Sequence, residues 1–309
     1  MGENIESRNK HVPVLGKEVC FWLISQRPMT IVDCTVGYGG HAELLLENSD
    51  LNTKVIGLDR DPRAIDFCRS RLVRFGDRAV LLRGNHRDLR RHLVEAGISF
   101  VDGVLFDFGV SSPQLDDPER GFSFLQDGPL DMRMDQTEGM TAAELVNGSR
   151  EDRLADIIFQ YGEERYARRI ARAIAIERAS HPIKTTGSLA SVVSKAVPPA
   201  YRHRRIHCAT RTFQALRIAV NQELDTLEPS LRDAVDVLAP GGRICAISFH
   251  SLEDRIVKHT FRALAVGRGA VLSLRTKKPV LPSEEECRVN PRARSAKLRI
   301  VERLPQEAV

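Results

Sequence analysis

No stretch of the sequence approaches the ~18–20 apolar residues that a membrane-spanning helix needs. Its apolar runs, such as Gly103-Val104-Leu105-Phe106 and Cys245-Ala246-Ile247, are strand-sized, so no membrane span is expected. The first ten residues lack an apolar core and carry Glu3 and Glu6. They resemble neither a secretory leader nor an Arg-rich transit peptide, and a cytoplasmic location is expected. Six cysteines are scattered without a C-x-x-C pair. Neither a disulfide framework nor a zinc site is indicated, and no metal is expected. Glycine and proline are dispersed and no repeat period appears, which excludes fibrous and low-complexity classes. A large excess of one charge sign is also lacking: 46 basic against 41 acidic residues leave a net +5 and a pI near 9.0. Such a balance matters only where the basic residues are local.

What is present is the composition of a globular chain, 42% hydrophobic and 28% charged over 309 residues, enough for one large core with an insertion or for two domains. Between Thr30 and Phe108, β-branched apolar runs alternate with amphipathic segments, the pattern of βαβ units on a parallel sheet. Strands are expected at 31–34, 55–58, 79–82 and 104–106. Helices are expected at about 62–75 and 89–96, with Pro62 suited to a first turn. After Phe108 the rhythm stops. About a hundred residues read as loops and charged helices, including 151–158 and 163–178. The α/β pattern resumes with a helix near 210–224, a second helix ending at Ala239, a turn at Pro240-Gly241-Gly242 and a strand at 243–249. Two β-rich runs, 270–275 and 297–304, suit antiparallel strands at the sheet edge. The expected architecture is α/β, a doubly wound sheet split by a helical insertion. Its two parts are a discontinuous domain, 1–115 with 215–309, and an insert, 116–214.

Gly37, Gly39 and Gly40 follow the first strand and precede a helix, where absent Cβ atoms let backbone N–H groups approach a ligand. Asp59 closes the second strand 20 positions after Gly39, a place from which a carboxylate reaches ribose hydroxyls. A tight turn without a ligand would also use these glycines. A nicotinamide cofactor remains open too, because Gly37-x-Gly39-x-x-Ala42 satisfies the dinucleotide fingerprint.

Asp107 sits at the carboxyl end of the fourth strand, which borders the ligand crevice in open α/β sheets. An unpaired carboxylate is costly to bury in apolar sequence, so Asp107 is expected to hold donors of a cofactor or substrate amine; capping of the next turn is the plainer alternative.

The stretch DFGVSSPQLDDPERGFSF (107–124) with GPLDMRMD (128–135) closely resembles the RsmH family, also called MraW, of ribosomal RNA small-subunit methyltransferases acting on N4 of a decoding-centre cytidine. Further motifs extend the resemblance over nearly the whole chain: HVPVLGKEV (11–19), DCTVGYGGH (33–41), GLDRDP (57–62), YGEERYARRIARAI (161–174), ATRTFQALRIAVNQEL (209–224), LAPGGRICAISFHSLEDRIVK (238–258) and NPRARSAKLRI (290–300). The resemblance implies a class I S-adenosylmethionine-dependent methyltransferase fold, one S-adenosyl-L-methionine per subunit and 16S rRNA as partner, within a small subunit or late assembly intermediate. Members of the family can be homodimers. By motif position the cofactor residues are Gly39, Gly40, His41, Asp59, His86, Asp107 and Gln114. At residue 86 the family usually has an aromatic that packs on the adenine, whereas an imidazole also offers hydrogen bonds. Gly16 and Ala42 stand where leucine and serine are usual, and Ala42 removes a possible capping hydroxyl.

The cytosine amine is a poor nucleophile, and groups that orient its N–H bonds and take up the released proton would help. Asp107, Ser111 and Ser112 are the nearest candidates by sequence. His250 follows the resumed strand and is expected to meet the target base or its phosphate, while Ser251 is expected to cap the next helix with Asp254 at N3.

Arg202, His203, Arg204, Arg205, His207, Arg211 and Arg217 crowd one segment without acidic residues between 202 and 211. Arg202, Arg204, Arg205 and Arg211 are the expected phosphate contacts. Arg165, Arg168, Arg169 and Arg172 line an insert helix, where pairing with Glu163, Glu164 and Glu177 is the plainer alternative. A non-catalytic RNA-binding or assembly factor with a vestigial site is the third reading, but it predicts damaged cofactor residues, and Gly39, Gly40, Asp59 and Asp107 are intact.

Overall fold

The structure, a computed structural model, describes residues 13–25, 27, 29–202 and 204–305. Met1 to Lys10 and His203, named above, lie outside them.

The chain divides into two compact units. The first runs to Gly109 and resumes at Leu224. Its elements are α1 (Gly16–Leu23), β1 (Thr30–Asp33), α2 (Gly40–Asn48), β2 (Lys54–Asp59), α3 (Pro62–Leu72), β3 (Ala79–Arg83), α4 (Leu89–Glu95) and β4 (Val101–Asp107). The second unit, Val110–Glu223, holds α5 (Ser112–Asp116), α6 (Ala142–Gly148), α7 (Glu151–Gly162), α8 (Ala167–Ser180), α9 (Thr186–Ala196), α10 (Pro199–Arg202) and α11 (Thr210–Asn221). Then come α12 (Glu223–Val237), β5 (Leu238–Ser248), α13 (Ser251–Ala265), β6 (Leu272–Leu274), α14 (Glu284–Val289) and β7 (Lys297–Arg303).

All seven strands form one sheet, in the order β3-β2-β1-β4-β5-β7-β6. The first five are parallel. β7 runs antiparallel to both β5 and β6, as the two late β-rich runs suggest. The strands read as near-continuous apolar runs because both faces are covered. Val32, Ile56, Val104, Phe106 and Ala246 pack with α4, α12 and α13 through Leu93, Leu231 and Phe261. The alternate residues Ile31, Val55, Leu105, Cys245 and Ile247 pack with α1, α2 and α3 through Val19, Leu45 and Ile65. Strand order reverses between β1 and β4, and a crevice outside the carboxyl ends of the strands opens at such a reversal.

Two expectations need correction. Pro240-Gly241-Gly242 is not a turn ahead of a strand; it lies inside β5, whose pairing with β4 shifts register between Val101 and Gly103. Gly241 takes φ 77°, and a Cβ on Gly242 would come within 2.9 Å of the Asp102 carbonyl, so this irregularity needs glycine. The helix near 210–224 does not resume the α/β unit. Phe213 and Leu216 of α11 pack with Leu154, Ile158, Ile170 and Leu189, so the amphipathic face faces helices and not the sheet. The unit boundaries consequently fall at Gly109/Val110 and Glu223/Leu224, where the sequence places them at 115/116 and 214/215.

Within the helical unit Arg120 is almost fully buried and donates to the carbonyls of Arg133 (3.1 Å) and Met134 (2.8 Å). A buried guanidinium met by carbonyl oxygens ties together the two ends of the 120–134 loop, whose Phe122, Leu130 and Met132 enter the core of the helical unit.

Candidate active site

The carboxyl ends of β1, β2 and β4 carry Asp33, Asp59 and Asp107. Between β1 and α2 the glycine loop turns sharply: Gly37 takes φ 51° and Gly39, the residue before α2, takes φ 80°. A Cβ on Gly39 would press within 3.0 Å of Cys68 Sγ. Gly40 opens α2, so the loop leads to a helix N-terminus whose first N–H groups have no helical partner.

Asp59 locks this loop to β2. Its Oδ2 accepts from Gly37 N (2.8 Å) and its Oδ1 from Asp61 N (2.9 Å). Burial lifts its pKa to about 6 against those two backbone donors. Each oxygen retains lone-pair capacity for a further donor.

Asp33 and Asp107 form the centre of the site. Asp33 is 1% exposed, and burial lifts its pKa to about 7, against one backbone hydrogen bond from Thr35. Asp107 is raised well above the usual carboxylate range by burial, then by Asp33 and Glu253. Among the described residues, Asp33 Oδ2 and Asp107 Oδ1 are buried without a hydrogen-bond partner. Asp107 N donates to Thr35 Oγ1 at 2.6 Å, which pins β4 to the β1 turn. Two acceptors withheld from water and from protein donors are costly unless a proton or a ligand donor meets them.

Buried His41 lies beside Asp107. Its Nε2 lies 2.9 Å from the Val14 carbonyl, which can only accept, so the proton sits on Nε2. Its Nδ1 is 3.6 Å from Asp107 Oδ2. Ala42 is wholly buried beneath the loop and takes no capping position.

A family model described as the MraW methylase family matches residues 8–304. The chain is 52% identical over 298 residues to the ribosomal RNA small subunit methyltransferase H of Synechococcus elongatus, covering 96% of each chain. It is 48% identical over 307 residues to the protein of the same name in Syntrophus aciditrophicus, covering 95% of this chain and 98% of that one. The chain belongs to the MraW methylase family. It is a methyltransferase, and its sheet with one antiparallel strand at β7 has the class I arrangement expected of it.

Other residues singled out in the sequence hold different places. His86 follows β3, with Nδ1 2.7 Å from Ser230 Oγ of α12 and its ring edge-on to Phe106 (5.9 Å) and Phe108 (6.0 Å). Burial, then nearby Arg60, lowers its pKa to about 4, so the ring is neutral at pH 7. In the helical unit, Ser111 is the N-cap of α5 and forms a capping box with Gln114: Gln114 N donates to Ser111 Oγ and Ser111 N to Gln114 Oε1 (3.0 Å). Ser112 is the first residue of that helix.

The expected cap of α13 is overturned. His250, not Ser251, is its N-cap, and Glu253, not Asp254, closes the box by accepting from His250 N (3.2 Å) and Phe249 N (2.7 Å). Asp254 instead holds Arg299 (2.7 Å) and Lys297 (3.1 Å) of β7. The chain leaves β5 one residue earlier than the Ser-x-x-acid pattern suggests, so the imidazole takes the acceptor role normally left to a hydroxyl.

The four candidate phosphate contacts are exposed and lie in the helical unit. Arg202 donates to the Val197 carbonyl (3.1 Å), and Arg211 to that of Glu163 (2.7 Å). Arg204 lies 4.9 Å over the Tyr201 ring. Arg165 lies over both Tyr166 (4.7 Å) and Tyr201 (5.0 Å), and Tyr201 is fixed by donating to buried Glu164 (2.6 Å). Among the described residues, Arg165, Arg168, Arg169 and Arg172 form no ion pair, so the salt-paired face does not form.

Asp33, Glu253 and Ser230 were not singled out from sequence. Asp33 gave a usable signal, an acid ending an apolar strand, the same signal that marks Asp107. Ser230 gave none, because only the tertiary fold brings α12 against the turn after β3.

Proposed function

We propose that the protein transfers a methyl group from S-adenosyl-L-methionine to N4 of a cytidine in the decoding centre of 16S ribosomal RNA. The observation that carries this reading is the carboxylate pair Asp33 and Asp107, each with one buried oxygen that no donor among the described residues meets, at the β1/β4 reversal beside the glycine loop. The relatives' shared name supports RNA of the small subunit as the substrate.

These residues fit a cationic nucleoside donor. The Gly39-Gly40 turn leaves N–H groups for the amino-acid end, Asp59 retains acceptor capacity for ribose hydroxyls, and Asp33 with Asp107 provides negative charge for a cation. S-adenosylmethionine supplies a methyl group already activated on a sulfonium. The chain then has to orient the amine and accept one proton. Asp107 is the group for both tasks, because burial and its acidic neighbours make its carboxylate a stronger base than an exposed one. A bound cation favours the ionised form that this role requires. His41, held through Nε2 by the Val14 carbonyl, lines the site beside Asp107, with Nδ1 3.6 Å from Asp107 Oδ2.

The arginines of the helical unit are the proposed RNA contacts, Arg204 and Arg205 foremost, since both are exposed and neither guanidinium is engaged by a backbone carbonyl among the described residues. A cytidine that reaches a crevice must be unpaired or turned out of its stack, which favours a structured rRNA or assembled subunit over free nucleoside. The test is nucleoside mass spectrometry of small-subunit rRNA from cells with and without the gene. Loss of N4-methylcytidine at one decoding-centre position is expected; an unchanged level would exclude this substrate.

A further inference from the structure

The hydrogen bonds around His86 lead to a residue outside the motifs. Ser230, fully buried in α12, has one hydroxyl proton, and its Oγ lies 2.6 Å from the Thr226 carbonyl oxygen. A carbonyl only accepts, so that proton belongs to the Ser230–Thr226 bond. His86 Nδ1 lies 2.7 Å from the same Oγ. Two lone pairs at that distance would repel, so Nδ1 must carry a hydrogen and donate it to Ser230. The ring is neutral at pH 7, as burial and Arg60 require, and therefore has no second proton. His86 Nε2 is left as a bare acceptor, and no group among the described residues donates to it. The edge-on contacts with Phe106 and Phe108 hold the ring plane.

The fold also says which ligand group this acceptor meets. Resting on the cofactor reading above, the ribose hydroxyls lie at Asp59. On the β1 side Asp59 is occupied by Gly37 N–H. On its other side β3 runs alongside, with Asp59 opposite Arg83, and the chain reaches His86 three residues later. With the β1 side taken, the base, joined to the carbon next to the 2′-hydroxyl, falls to the β3 side. We infer that Ser230 is a positioning residue that fixes His86 as a hydrogen-bond acceptor, and that His86 Nε2 accepts from the exocyclic amine of the cofactor's adenine. The site then selects a 6-aminopurine by a hydrogen bond, where a phenyl ring at this position could only pack against the base.

The experiment is calorimetric titration of the full chain with S-adenosylhomocysteine and with its 6-oxo counterpart, S-inosylhomocysteine. The 6-oxo base presents lone pairs to Nε2 in place of a donor. The wild-type protein is expected to prefer the adenosyl ligand by about tenfold or more. His86→Phe is expected to bind both ligands with that preference reduced to within about threefold. Ser230→Ala is expected to lower the preference as well, and nitrogen NMR of the His86 imidazole should show its protonated Nδ1 giving way to a tautomer mixture, a change that loss of packing alone does not produce. A wild-type preference below about twofold, or one undiminished in both variants, overturns the assignment while leaving the cofactor reading intact. Failure of the wild-type protein to bind S-adenosylhomocysteine overturns both.

Discussion

Asp33 is 1% exposed at the end of β1, with one of its oxygens lacking any donor among the described residues, and this has a direct consequence for stability. Its pKa of about 7 is raised above the ordinary aspartate value of 3.8. Below the unfolded value both states are protonated; as pH climbs toward 7 the unfolded chain releases a proton that the folded one retains. Stability contributed by the protonated form is therefore lost as pH rises from about 4 to about 7. Asp33→Asn removes that penalty. In ligand-free protein it is expected to flatten the decline of unfolding free energy between pH 5 and pH 8 and to leave the variant more stable at pH 8 by a few kcal/mol, on the order set by a buried carboxylate. Urea denaturation at the two pH values measures this. An unchanged pH dependence would mean that Asp33 is ionised in the folded state.

At the scale of elements, the start of α13 is decided by an exchange of hydrogen bonds between His250 and Glu253. His250→Ala should lower the unfolding free energy by about 1 kcal/mol, as loss of an N-cap does. Ser251→Ala should change it by less than about 0.5 kcal/mol, since Ser251 is a first-turn residue and not the cap. Equal effects in thermal or chemical denaturation would restore Ser251 as the cap. The loop before α2 follows the same logic in its backbone. Gly39 at φ 80° cannot take a side chain without strain or without displacing Cys68, so Gly39→Ala should weaken S-adenosylhomocysteine binding, which titration calorimetry would report as a Kd raised about tenfold or more.

For the whole molecule, the division of labour is between a sheet unit holding the carboxylates and a helical unit carrying the exposed arginines. If RNA is held through phosphates, replacing Arg204 and Arg205 with alanine should weaken binding of a small-subunit rRNA fragment. It should also flatten the slope of log affinity against log salt by about 0.7 for each phosphate of single-stranded RNA that is no longer neutralised. Fluorescence anisotropy between about 50 and 200 mM salt reads both effects. An unchanged slope would move the phosphate-binding role to the unpaired arginines of α8. No helix among the described residues is long and apolar enough to cross a membrane, in line with the absence of long apolar runs.

Strands β1 to β4, the antiparallel pair at the sheet edge, the glycine loop, Asp59 and Asp107 were legible in the sequence. Their signals are local: apolar runs of fixed length, glycine where the chain must turn, and an acid closing an apolar strand. α11 was misplaced because an amphipathic face shows that a helix packs, not against what. The cap of α13 was misread because His250 and Ser251 can each accept a hydrogen bond, and only the path out of β5 chooses between them. Sequence by itself therefore determined the strands β1 to β4, the glycine loop and the family. Tertiary structure alone decided that Asp33 and Asp107 share one buried site, that His41 lies beside Asp107, and that Ser230 fixes the tautomer of His86. Such pairings depend on distances between residues far apart in the chain, and no local periodicity encodes those distances.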